Sequence, residues 1–197
     1  MYLGVGGKGS PAIPSHMYTA RVDCVACHIT PEAGDTHRTQ FTGRTFEASN
    51  AACVSCHGQV YEGMLENWKR TLETMLAELR SKLDGARKAA EEPAQNAKAH
   101  AEAMQLLVDA EYNYDFVKHG KGVHNVFYAA DLLQRVNGTA NQVMTLLGKS
   151  PITLAQENLV RGGYCATLCH SQVGVIFKPE VRFQQKTRVP HQKHFNE

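Results

Sequence analysis

Cys24-Val25-Ala26-Cys27-His28 and Cys53-Val54-Ser55-Cys56-His57 repeat one pattern, C-x-x-C-H, with their histidines 29 residues apart. Cys165-Ala166-Thr167-Leu168-Cys169-His170 is the same device with one more spacer residue. Together the three motifs use all six cysteines of the chain. C-x-x-C-H is the attachment pattern of c-type haem: each thiol bonds a porphyrin vinyl group, and the adjacent histidine takes one axial position on the iron. Three disulfides, or a zinc held by two C-x-x-C pairs, would also use such cysteines. Neither explains a histidine directly behind every pair, and zinc sites space their Cys and His ligands apart. The sequence therefore implies three haem c groups. Cys24, Cys27, Cys53, Cys56, Cys165 and Cys169 are the expected thioether donors, and His28, His57 and His170 the expected proximal iron ligands.

Outward from the motifs, the 197 residues divide into three parts. Residues 1–60 are rich in Gly, Pro, Thr and Ser and hold no sustained period. They read as a dihaem-binding segment of loops and short helical turns, with short helices at the motifs. From 61 to 148 the pattern changes. Leu65, Trp68, Leu72, Met75, Leu79, Leu83 and Ala86 recur at three- and four-residue steps, an amphipathic helix of about 30 residues and about 45 Å. Pro93 marks the start of a second helix, along which Ala97, Ala101, Met104, Leu107, Ala110, Tyr114 and Val117 continue the stripe. His119-Gly120-Lys121-Gly122 breaks it. A third helix carries Val126, Ala130, Leu133, Val136, Ala140, Val143 and Leu147, and Gly148-Lys149-Ser150-Pro151 ends it. Such stripes pack antiparallel helices against one another. Residues 149–197 hold the third motif, a stretch at Val173–Phe177 that reads as a short strand or extended arm, and a tail with two histidines. The expected fold is mainly α: a multihaem cytochrome c with loop-rich haem-binding segments, a bundle of three long helices and little or no β.

Composition narrows the setting. Hydrophobic residues make up 43% of the chain, but branched aliphatics and aromatics are thin, so apolar porphyrin plates are expected to supplement the core. The formal net charge is +2 with no basic run, which gives no footing for nucleic acid. No stretch approaches the roughly 18 apolar residues of a membrane span. Thioether attachment depends on a maturation system outside the bacterial cytoplasmic membrane, so the expected location is periplasmic, extracellular or cell-surface. The opening Met1 to Gly9 lacks the charged and apolar regions of an export signal. The expectation is a processed chain or a section of a longer one.

Each iron has a sixth position. A histidine there makes a low-spin electron shuttle; an open position admits small ligands such as nitrite. Seven histidines lie outside the motifs: His16, His37, His100, His119, His124, His191 and His194. His124 stands at a helix start behind Gly120-Lys121-Gly122, where glycines let backbone approach a flat haem. His37 is tethered between the first two motifs, and His16 stands twelve residues before His28. His191 and His194 complete the distal candidates. His100 and His119 sit on or at the end of a polar helix and read as solvent-exposed.

Glu111 to Asn125, which contains Gly122-Val123-His124-Asn125, resembles the helix, turn and G-x-H-N element of multihaem cytochromes. The group is that of pentahaem nitrite reductase, hydroxylamine oxidoreductase and octahaem tetrathionate reductase. Its members place two close C-x-x-C-H sites before a bundle of long helices, and the resemblance covers about residues 16–148. It implies haem-iron ligation by His124 and, from between the two sites, by His37. The C-x-x-C-K catalytic motif of the nitrite reductases is absent, and no context marks a tyrosine for a haem cross-link. Pro190-His191-Gln192-Lys193-His194-Phe195 is similar to the P-H-x-x-H segment of cytochrome c3, which supplies distal ligands.

The first expectation for function is electron transfer through three covalent haems, mostly or all bis-histidine and low-spin, and not catalysis. The second is a haem-based reductase or oxidoreductase module for a small nitrogen or sulfur compound. The third is a structural unit of a haem filament or surface complex, which is compatible with the first. The expected partners are redox proteins, in particular other multihaem cytochromes or subunits, in an oligomer or filament.

Overall fold

Apolar residues at three- and four-residue steps form the helices that carry the fold. This is seen in a computed structural model, which describes residues 1–31, 46–93, 96–156, 168, 180–183 and 187–190. In chain order the elements begin with short helices α1 (His16–Thr19) and α2 (Cys24–Cys27), strands β1 (His28–Pro31) and β2 (Phe46–Ala48), and helix α3 (Asn50–His57). The long helices α4 (Met64–Ala90), α5 (Ala97–His119) and α6 (Val126–Leu146) follow, then strands β3 (Glu180–Phe183) and β4 (Thr187–Pro190). The protein is mainly helical. Its strands form two antiparallel pairs, β1 with β2 and β3 with β4. No helix among the described residues is long and apolar enough to cross a membrane.

The three long helices run up, down and up. Their order follows from short links, which force antiparallel neighbours. The α4 stripe is buried as its spacing predicts: Leu72, Met75, Leu79, Leu83 and Ala86 all face the core, with Trp68 packed beside it. On α5 the stripe is buried only in part. Leu107, Ala110, Tyr114 and Val117 are core residues, whereas Ala97 and Ala101 are exposed and Ala103 takes the inward position. The second helix also starts later than Pro93. Asn96 caps it, its side chain accepting from the backbone N–H groups of Lys98 and Ala99 at 3.0 and 3.1 Å. An Asn satisfies two orphan donors there, which Pro cannot. His100 is half-buried, not free in solvent. Its Nε2 donates to the carbonyl of Ala90 at 2.8 Å and so closes the C-terminus of α4. A polar device sits inside the bundle as well: Lys82 is fully buried and its Nζ donates to Asn137 Oδ1 at 2.6 Å.

The turn from α5 to α6 packs closely against all three helices. Lys121 takes a left-handed φ of 52°, and Gly122–Asn125 form one 3-10 turn. A Cβ on Gly122 would lie 3.0 Å from Ala129 Cβ and 3.1 Å from both Leu72 Cδ1 and Val117 Cγ1. Those atoms come from all three helices, so none yields without moving a neighbour. Gly122→Ala is expected to lower stability by about 1–3 kcal/mol through overpacking. Urea denaturation measures it, and an unchanged midpoint would show that the helices part easily at this point.

Residues 1–15 form a strap laid across α5 and α6. The backbone N–H of Lys8 donates to Asn113 Oδ1 at 2.7 Å, and Asn113 Nδ2 returns a bond to the Lys8 carbonyl at 3.0 Å. Gly7 N–H donates to the Tyr128 hydroxyl at 2.8 Å, and Ser10 Oγ to Asp131 at 2.6 Å. Asn125 is almost wholly buried. Its Nδ2 donates to the Ile13 carbonyl at 2.7 Å, while its Oδ1 caps α6 by accepting from Tyr128 N–H at 3.1 Å.

Candidate functional site

The first two cysteine motifs are brought side by side by the strands between them. Asp23 caps α2 by accepting from Ala26 N–H at 3.2 Å, so Cys24 and Cys27 share one helical turn. β1 begins at His28 itself, and its partner β2 ends two residues before α3. α3 carries Cys53 and Cys56 three positions apart, a spacing that puts both on one helix face, with His57 next in line. Asn50 fixes α3 to α4: its Oδ1 accepts from Leu65 N–H at 3.1 Å, and its Nδ2 donates to Glu66.

The four thiols of these motifs are free. Burial pushes the Cys27 thiol up, followed by the charges of Cys56 and Cys24. Burial likewise raises Cys53, followed by the charge of Cys27 and of Glu66. Thiols of the two motifs therefore lie within each other's electrostatic reach. Raised thiols stay protonated at neutral pH, unlike the lowered thiols of redox-reactive cysteines.

His28 and His124 face one another across the first motif. Their ring centres are 6.3 Å apart and their planes differ by 21°. The two rings are nearly parallel and lie at the wide end of offset stacking. Two imidazoles this close are a pair that could hold one haem iron. The tautomers agree. His28 Nδ1 donates to the Phe46 carbonyl at 2.7 Å, and His124 Nδ1 to the Lys121 carbonyl at 3.0 Å. Each ring thus keeps Nε2, with its lone pair, as the free nitrogen. A backbone carbonyl on the other ring nitrogen is the usual way in which a ligating histidine is oriented.

His57 and His16 line a second place, a cleft of about 200 Å³. Its other walls are Ser15, Met17, Tyr61, Met64, Trp68, Asn125, Val126 and Phe127. Tyr61 stacks on His57 at 4.6 Å between ring centres, and Phe127 meets His16 edge-on at 5.1 Å. The third motif is represented by Leu168. Its side chain is buried in the bundle core, and its carbonyl accepts from Trp68 Nε1 at 2.9 Å and Asn67 Nδ2 at 3.3 Å. Trp68 therefore touches the His16–His57 cleft with one part and the third motif with another. Cys165, Cys169, His170, His37, His191, His194 and the stretch at Val173–Phe177 lie outside the described residues. His119 is exposed.

The residues present suit a haem on several counts. Among the described residues, seven of the nine large exposed hydrophobics fall within residues 1–60: Leu3, Val5, Tyr18, Val25, Ile29, Phe46 and Val60. Apolar side chains left in water around two cysteine motifs are surface that a porphyrin would cover. Among the described residues, no three or more His, Cys, Asp or Glu side chains converge on one point. A haem needs only two axial side chains, because its own four nitrogens complete the iron. No protein-family model matches the chain, and no solved structure matches it.

Sequence reasoning found the four histidines but missed what holds them. Asn113, Asn125, Tyr128 and Trp68 set the strap and the cleft; Asn125 carried a signal as the last residue of the G-x-H-N element, and Trp68 only as part of the apolar stripe of α4.

Proposed function

We propose that the chain transfers electrons through three covalently bound haem c groups, the first held between His28 and His124. The observation that carries this reading is the 6.3 Å separation of those two rings, with each Nδ1 committed to a backbone carbonyl. The haem supplies the one-electron chemistry. The chain's part is to fix two imidazoles so that the iron environment changes little between redox states. β2 orients His28, and the α5–α6 turn orients His124. Adjacent thiols of Cys27, Cys53 and Cys56 support close spacing of the first two haems. Leu168, the described residue of the third motif, bonds to Trp68 and Asn67 at the start of α4. The resemblance to the pentahaem and octahaem cytochromes agrees with this order of parts. It also suggests a periplasmic or cell-surface setting with redox proteins as partners.

Protein matured with haem is expected to show three haem masses per chain. His124→Ala is expected to turn one haem of the three high-spin and to raise its potential, because a nitrogen donor to ferric iron is lost. His100→Ala should leave the spectrum unchanged, since His100 closes a helix end. A wild-type protein without covalent haem sinks the proposal. A low-spin His124→Ala protein removes the axial pairing.

A further inference from the structure

We propose that the cleft beneath the strap seats the haem attached at Cys53 and Cys56, with His16 as the axial ligand opposite His57. This rests on the haem reading above and assigns a second iron that the His28–His124 pair leaves without a partner. Three observations meet here. First, His57 follows Cys56 directly and lines the cleft together with His16. Second, the remaining walls are largely apolar: Met17, Met64, Trp68, Val126 and Phe127. A porphyrin is a flat apolar plate, and methionine and aromatic side chains are the surfaces that pack on one. Third, His16 is exposed although its surroundings are fixed with care. Ser15 is buried, and its N–H donates to the Tyr2 carbonyl at 3.2 Å. Ile13, two residues earlier, is held by Asn125. Phe127 braces the imidazole edge. A surface histidine without a task needs none of these anchors.

Asn125 then serves both irons. It follows His124 in the chain, it lines the second cleft, and it holds the strap that carries His16. It is a positioning residue that sets the spacing between the two haem sites. Trp68 extends the order, since the wall of the second cleft is also the contact for the third motif.

The test uses the full-length holoprotein and His16→Gly, a substitution on an exposed residue. Intact mass counts the haems, and the electronic and EPR spectra count high-spin irons. Three haems with one turned high-spin is the expected result, and added imidazole should return that haem to low spin by filling the space of the lost ring. The double variant His16→Gly/His124→Ala should show two high-spin haems. A His16→Gly protein that stays fully low-spin overturns the assignment. So does a double variant with a single high-spin haem, which would put His16 on the first iron. A high-spin signal that imidazole fails to clear would mark a structural disturbance and also count against ligation. Loss of covalent haem from the wild-type protein would instead defeat the underlying haem reading, and mass alone distinguishes that case.

Discussion

Leu79→Asp is expected to cost more than about 4 kcal/mol, enough to unfold much of a protein whose total stability is about 5–15 kcal/mol. Leu79 is fully buried at the centre of the α4 stripe. Aspartate there removes apolar burial and places a charge among side chains that offer it no partner. Lys82, buried three positions on along α4, is already engaged with Asn137. Leu79→Ala serves as the graded control, with an expected loss of about 2–5 kcal/mol set by how far the cavity collapses. Chemical denaturation followed by far-UV circular dichroism measures both. If the chain carries the proposed haems, their potentials should stay at wild-type values in the Leu79→Ala protein, because Leu79 is not among the residues around His16, His57, His28 and His124. A selective change in one potential would place this stripe against a cofactor.

Asn125→Ala is the second large effect, at about 2–4 kcal/mol. It deletes the cap of α6, worth about 0.5–2 kcal/mol, and leaves the half-buried carbonyl of Ile13 without its donor, worth at most about 1–3 kcal/mol. Asn125→Asp separates the two roles. Its carboxylate still caps Tyr128 N–H but turns an oxygen towards the Ile13 carbonyl, where the amide donated at 2.7 Å. Aspartate should therefore fare no better than alanine in thermal unfolding. Recovery of most of the stability by Asp would show that the cap alone matters and that the strap is loosely held.

The long helices were legible because burial on one face imposes a period on the sequence. Leu72 to Ala86 on α4, and Val126 to Val143 on α6, sit where their spacing puts them. The cysteine motifs stand out in the sequence for a different reason: the proposed covalent chemistry needs particular atoms at particular offsets. What stayed hidden was long-range and polar. Nothing in the spacing marks Lys82 for burial, since its partner Asn137 lies 55 positions away. The β1–β2 pairing escaped notice because each strand is three or four residues long, too short for alternation to show. It is nonetheless the element that orients His28. The start of α5 was misplaced because Pro93 is a louder signal than Asn96, although the amide is what caps the helix. The pairing of histidines is a property of three dimensions, and no offset along the chain encodes 6.3 Å between His28 and His124.

The strap also sets an order in time. α4, α5 and α6 find one another through short links, and contacts between near neighbours form fast. The strap's bonds to Asn113, Asn125 and Tyr128 span 105, 112 and 121 positions. Closing so large a loop carries an entropic cost that is recovered only after the bundle exists to receive it. The bundle therefore forms first and the strap docks last, delivering His16 at the end. Cys53 and Cys56 are tied to α4 early by the short-range bonds of Asn50 to Leu65 and Glu66. Cys24 and Cys27, which follow the strap, gain their final surroundings later.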